Sequence, residues 1–146
     1  MSQKRFKSQF LHFDYDFEVI GIHSITPPHI MAWCLNDTFS AHFVLEADPF
    51  RINLYEDSVS EHAEYYWEGD DAHSEMWLVT NKGSKSLLYT NRPTPDYWLI
   101  IKEASYMGGT AEWVKNIKSI QNVQMVFEYP TEMVPKLTWL QQLSHL

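Results

Sequence analysis

The side chains that could do chemistry are scattered along this chain rather than grouped in a motif. Seven histidines raise a metal or acid–base possibility. His23 follows an aromatic and aliphatic run, His29 and His42 flank a helical stretch, and His62 and His73 sit among acids. No two share the i, i+4 spacing of a helical zinc pair, and no C-x-x-C occurs. The pattern predicts no metal and no cofactor; His62 with His73 would be the best pair if their strands met in register. The lone Cys34 is a candidate nucleophile, but it shares a helical face with Ile30 and Trp33, which predicts a buried, inert thiol. Gly108-Gly109-Thr110 opens a helix, where free backbone N–H groups can hold an anion. The plainer reading is loop glycines followed by a threonine cap. Asp96-Tyr97 lies between a proline-containing loop and the most hydrophobic strand, where an aspartate commonly bonds nearby backbone N–H groups. Eight acids between Glu56 and Glu75 predict a solvated face or a dock for a basic partner.

Elements must position these groups. Phe13, Tyr15, Phe17 and Val19 alternate with acids, which predicts a strand with one buried face; Ile20 and Ile22 predict cover on the other face as well. Thr26-Pro27-Pro28 reads as the start of a helix from about Pro27 to Asp37. Short strands follow at Phe43–Leu45 and Ile52–Leu54, then a hairpin pairing Tyr65–Trp67 with Glu75–Thr80 across a Gly-Asp turn, and a third short run at Leu87–Tyr89. Tyr97–Ile101 is almost wholly apolar and belongs in the middle of a sheet, with Ile20–Ile22 beside it. A helix from Ala111 to Ile120, capped by Thr110, presents Trp113, Val114, Ile117 and Ile120, and a last strand runs from Val123 to Tyr129. The tail from 131 to 146 carries Leu137, Trp139, Leu140 and Leu143 in a short helical stripe.

The stretch LLYTNRPTPDYWLII, with DFEVIGI before it and a helix containing W-C-L, resembles the bacterial IPExxxVDY family. Asp96 and Tyr97 match the last two positions of that pattern. Tyr89 stands for its Ile, Thr90 and Asn91 replace Pro and Glu, and Pro95 replaces Val. The resemblance implies a shared order of elements along nearly the whole chain and a bacterial housekeeping setting, but no particular reaction.

The order β-α, a meander of strands, then β-α-β predicts one α+β domain over residues 1–146, after a polar lead-in of about ten residues. Its architecture is two layers, a mostly antiparallel sheet with two helices packed on one face. A single cysteine, no apolar leader behind MSQKRFKSQF and no apolar run near 18 residues predict a cytoplasmic protein that does not enter a membrane. The net charge of −8 argues against nucleic acid, since residues 8–80 hold 14 acids against Arg51 alone. Six Trp, eight Tyr and eight Phe exceed what a two-layer core of this size needs. They predict a non-catalytic binding or assembly module acting through protein–protein contacts, with a homodimer buried around Trp139, Leu140 and Leu143. The alternative is a small ligand-binding protein or enzyme, with His23, Asp96, Tyr97 and the Gly108–Thr110 helix start around a pocket between helices and sheet.

Overall fold

The computed structural model describes residues 17–54, 57–69, 74–92, 94–102 and 109–146. Phe13, Tyr15, Asp70, Asp71, His73 and Gly108, and the polar lead-in, lie outside them. Strand β1 (Phe17–Ser24) is followed by helix α1 (Pro28–Phe39), then β2 (Val44–Leu45), β3 (Phe50–Asn53), β4 (Val59–His62), β5 (Glu64–Glu68), β6 (Glu75–Thr80) and β7 (Tyr97–Lys102). Helix α2 (Thr110–Lys118) and β8 (Val123–Glu128) come next, and two 3-10 turns, Thr131–Lys136 and Thr138–Gln142, end the chain. This is an α+β fold. Six strands form one antiparallel sheet in the order β2-β5-β6-β7-β1-β8, and β3 pairs with β4 in a separate two-stranded sheet. As its unbroken hydrophobicity predicts, β7 is interior, between β6 and β1. Its register sets Tyr97 against Ile22 and Ile100 against Val19.

Strand alternation divides the core in two. Ile20, Ile22, Met76, Leu78, Leu99 and Ile101 face α1 and α2. Both helices therefore lie on one face, joined where Phe39 stacks on Trp113 with ring centroids 3.7 Å apart. Phe17, Val19, Trp77, Val79, Trp98 and Ile100 face the other way. That second face is also closed, by Phe50 of β3 and by Val134, Leu137, Trp139, Leu140 and Leu143 of the tail. This covering layer absorbs the aromatic excess: Trp98 packs at 5.0 Å from Tyr129 and 5.4 Å from Trp139. The expected dimer contact through Trp139, Leu140 and Leu143 is corrected here, because all three are buried in their own chain. Ordering the tail in cis removes its apolar stripe from water without a second copy.

The tail is pinned by polar contacts. Ser144 N–H and Oγ–H donate to the Glu64 carboxylate at 3.0 and 2.6 Å, and Trp77 Nε1–H donates to the Ser144 carbonyl at 2.8 Å. Glu64 is thus no member of a solvated acidic face. It is 3% exposed, and burial pushes its carboxyl above the usual range. The acidic stretch also contains β4, whose Ser60 and His62 are buried, so the expectation of a wholly solvated run fails at these positions.

Helix boundaries shift by one residue from the expected caps. Pro27 is the N-cap of α1, and Gly109, not Thr110, is the N-cap of α2, with φ +91° and ψ 156°. That conformation is open to glycine and strained for other residues. Thr110 is the first residue of the helix rather than its cap.

Candidate functional site

Three exposed hydrophobic side chains, including the two most exposed large hydrophobics among the described residues, gather at one corner, where β1 runs into α1; Val44 and Leu45 of β2 form a second, smaller exposed pair. Ile25 is 85% exposed, Trp33 64% and Ile30 42%. The inner face of α1 is Met31, Ala32 and Leu35, so the stripe Ile30, Trp33 and Cys34 points outward. This reverses the expected facing of the helix. Cys34 is half-buried rather than enclosed, and it lines a cleft of about 310 Å³ with Ile25, Thr26, Pro27, Ile30, Gln121 and Asn122. Trp33 stands one turn along the helix from Ile30.

Two residues singled out by sequence build this corner. Asp96 Oδ2 accepts the Ser24 N–H at 2.8 Å, while Asp96 N–H donates to the Ile22 carbonyl at 2.9 Å. The Tyr97 hydroxyl donates to the Thr26 carbonyl. Burial and the neighbouring Asp96 push the Tyr97 phenol well above its ordinary range, so it stays a neutral donor. Ser24 Oγ–H donates to the Asn122 carbonyl at 2.7 Å, tying the same corner to the loop before β8. The segment Ser24–Pro27 is therefore held from three sides, and Ile25 is presented on rigid backbone. Asp96 and Tyr97 act as positioning residues.

The proposed pocket of His23, Asp96, Tyr97, Gly109 and Thr110 does not assemble. Ile22 and Tyr97 share the helix-covered face, so His23, the next residue of β1, projects to the opposite one. There its ring lies 5.6 Å from Phe127, beside a shallow groove of about 740 Å³ shared with Leu87, Arg92 and Thr94. Among the described residues the buried Nε2 atom meets no hydrogen-bond partner. Gly109 and Thr110 lie at the far end of the sheet, because α2 runs back along β8 after a tight turn, and nine residues carry its start about 13 Å away.

A serine–histidine pair went unnoticed in the sequence because S-x-H on a strand has no special spacing. Ser60 Oγ lies 3.1 Å from His62 Nε2, and His62 Nδ1 lies 2.9 Å from the Thr80 carbonyl. The carbonyl requires the proton on Nδ1, so Nε2 accepts from Ser60. The geometry suits a base and its nucleophile, yet Ser60 Oγ also accepts the N–H groups of Lys85 and Ser86, at 3.3 and 3.1 Å. Gly83 closes the pair from outside: a Cβ there would fall 2.4 Å from His62 Nε2 and 2.5 Å from Ser60 Oγ. The donors that could stabilise an oxyanion are spent on the serine, and both Ser60 and His62 are buried. Burial holds the His62 imidazole below its ordinary value. The pair is a lock between β4 and the loop after β6.

Among the described residues no three His, Cys, Asp or Glu side chains form a group that could hold a metal. No described helix is long and apolar enough to cross a membrane. No family model matches the chain, and no curated protein matches it either.

Proposed function

We propose that this chain is a non-catalytic cytoplasmic binding module that holds a protein partner on the outward face of α1. The observation that carries the reading is the exposed Ile25, Ile30 and Trp33 beside an apolar cleft. An exposed tryptophan on a fixed helix supplies a large contact area at low entropy cost, which is how binding hot spots are built. The cleft, of about 310 Å³, takes one bulky apolar side chain. The net charge of −8 favours a partner whose anchor is flanked by Lys or Arg, since complementary charge speeds encounter. Support for a binder over an enzyme comes from the rigidity of the corner and from the sealing of Ser60 and His62.

The test is selection of peptides on the full chain from a displayed random library. Peptides with a bulky apolar anchor and basic flanks are expected, losing at least about tenfold in affinity on Trp33→Ala, the cost of truncating a hot-spot ring. Peptides that bind Trp33→Ala as well as the parent chain would refute the assignment.

A further inference from the structure

The two edges of the six-stranded sheet are unequal. At one, β2 offers two residues; at the other, β8 offers six, and among the described residues nothing pairs with its outer side. Tyr129 N–H donates to Val19 O at 2.8 Å, and the register continues with Phe127 on Gly21 and Met125 on His23. In an antiparallel ladder, alternate residues turn their N–H and C=O inward, so those of Val126 and Glu128 point away from β1. An irregularity at Gln124, between the Met125 and Val123 pairings, ends the regular edge. Long open edges are commonly blunted by charge, proline or a covering element. This one carries Gln124, Met125 and Glu128 exposed, with Met125 43% accessible.

The sequence of the edge is complementary to itself. Turned antiparallel about Val126, it sets Val126 opposite Val126, Met125 opposite Phe127, and Gln124 opposite Glu128. The second pairing is a thioether against an aromatic ring, which attract. The third sets an amide donor against a carboxylate. Lys118 lies along the same edge, in a groove of about 550 Å³ shared with Val123–Val126. It therefore stands at the end where the Glu128 of the opposing strand arrives. Each such contact occurs twice in a two-fold pair. The β2 edge is only two residues long, Val44 and Leu45; both are exposed, but turned on itself it sets no amide or charge against a carboxylate.

We infer that β8 is a homodimer interface: two copies join antiparallel through Gln124–Glu128, Val126 opposite Val126, to make a continuous twelve-stranded sheet. The inference goes beyond the α1 reading and uses a different surface, so either can fail alone.

Sedimentation or light scattering of the full chain at about 150 mM salt should show a reversible monomer–dimer equilibrium in the micromolar-to-millimolar range, where small interfaces fall. Gln124→Glu sets a carboxylate against Glu128 twice and should weaken the dimer, whereas Gln124→Lys should tighten it. Cross-strand charge pairs predict changes of about 2–30-fold in each direction. Gln124 is exposed, so neither change should disturb folding. Hydrogen exchange supplies a second readout. The Val126 and Glu128 amides should gain protection as concentration rises, while the Phe127 amide, bonded to β1, should not change. A chain that stays monomeric to about 500 µM overturns the inference. A dimer indifferent to both Gln124 variants does so too, as does Val126 protection independent of concentration.

Discussion

Replacing Ile100 by alanine tests whether the second face of the sheet is a true interior. Ile100 is fully buried, opposite Val19 on β1 and Trp77 on β6, on the side closed by the tail. In a sheet with that side open to water, the truncation would cost under about 0.5 kcal/mol, as surface changes do. Under the tail it removes three carbons from a packed site, and buried Ile→Ala changes cost about 2–5 kcal/mol in lost transfer energy and cavity. Leu99→Ala, one residue away on the helix face and equally buried, should cost the same. Urea unfolding gives both values, and thermal melting should fall by about 4–20 °C, at about 2–4 °C per kcal/mol for this size. Ile100→Asp adds desolvation of a carboxylate without a partner, several kcal/mol more, and should consume most of a total stability of about 5–15 kcal/mol. A Leu99→Ala protein destabilised within this range beside an Ile100→Ala protein that is not would refute the enclosed second core. A folded, cooperative Ile100→Asp protein would refute the placement of β7 in the sheet interior.

Gly21→Ala would put a Cβ 2.5 Å from the tip of the Phe127 ring, so calorimetry should show a loss of about 1–3 kcal/mol, and Phe127→Leu should relieve part of it. The lowered His62 pKa makes a pH prediction. The native fold resists protonating this imidazole while the unfolded chain accepts a proton near the ordinary imidazole value of about 6.5, so its contribution is present above that pH and is lost as pH falls through and below it. Unfolding free energies from pH 8 to 5 should decline for the parent chain and flatten over that window in His62→Gln; equal slopes would remove His62 as the cause.

Much of the architecture is legible in local pattern. The unbroken run Tyr97–Ile101 announces an interior strand because both its faces need apolar cover, and the alternation of Tyr65–Trp67 against Glu75–Thr80 announces a hairpin. The resemblance carried by Asp96 and Tyr97 drew attention to two residues that the structure uses to hold the β1–α1 corner. Pattern alone misplaced α1, since Ile30–Leu35 is apolar at every position and a helix of that composition has no periodicity from which to choose a face. Only the packing of Met31, Ala32 and Leu35 onto the sheet turned Trp33 outward and so created the candidate site. Strand β4 was invisible for the opposite reason: V-S-E-H has no hydrophobic signal, and its burial depends on Ser60 and His62 finding partners more than 17 residues away in sequence. The tail shows the division most plainly. Its stripe of Leu137, Trp139, Leu140 and Leu143 establishes by itself that the segment must leave water, because apolar area is costly to expose wherever it sits. Whether it leaves water against its own sheet or a second copy is not encoded locally. That was decided by the long-range placement of Glu64 and Trp77, whose hydrogen bonds to Ser144 span 80 and 67 residues.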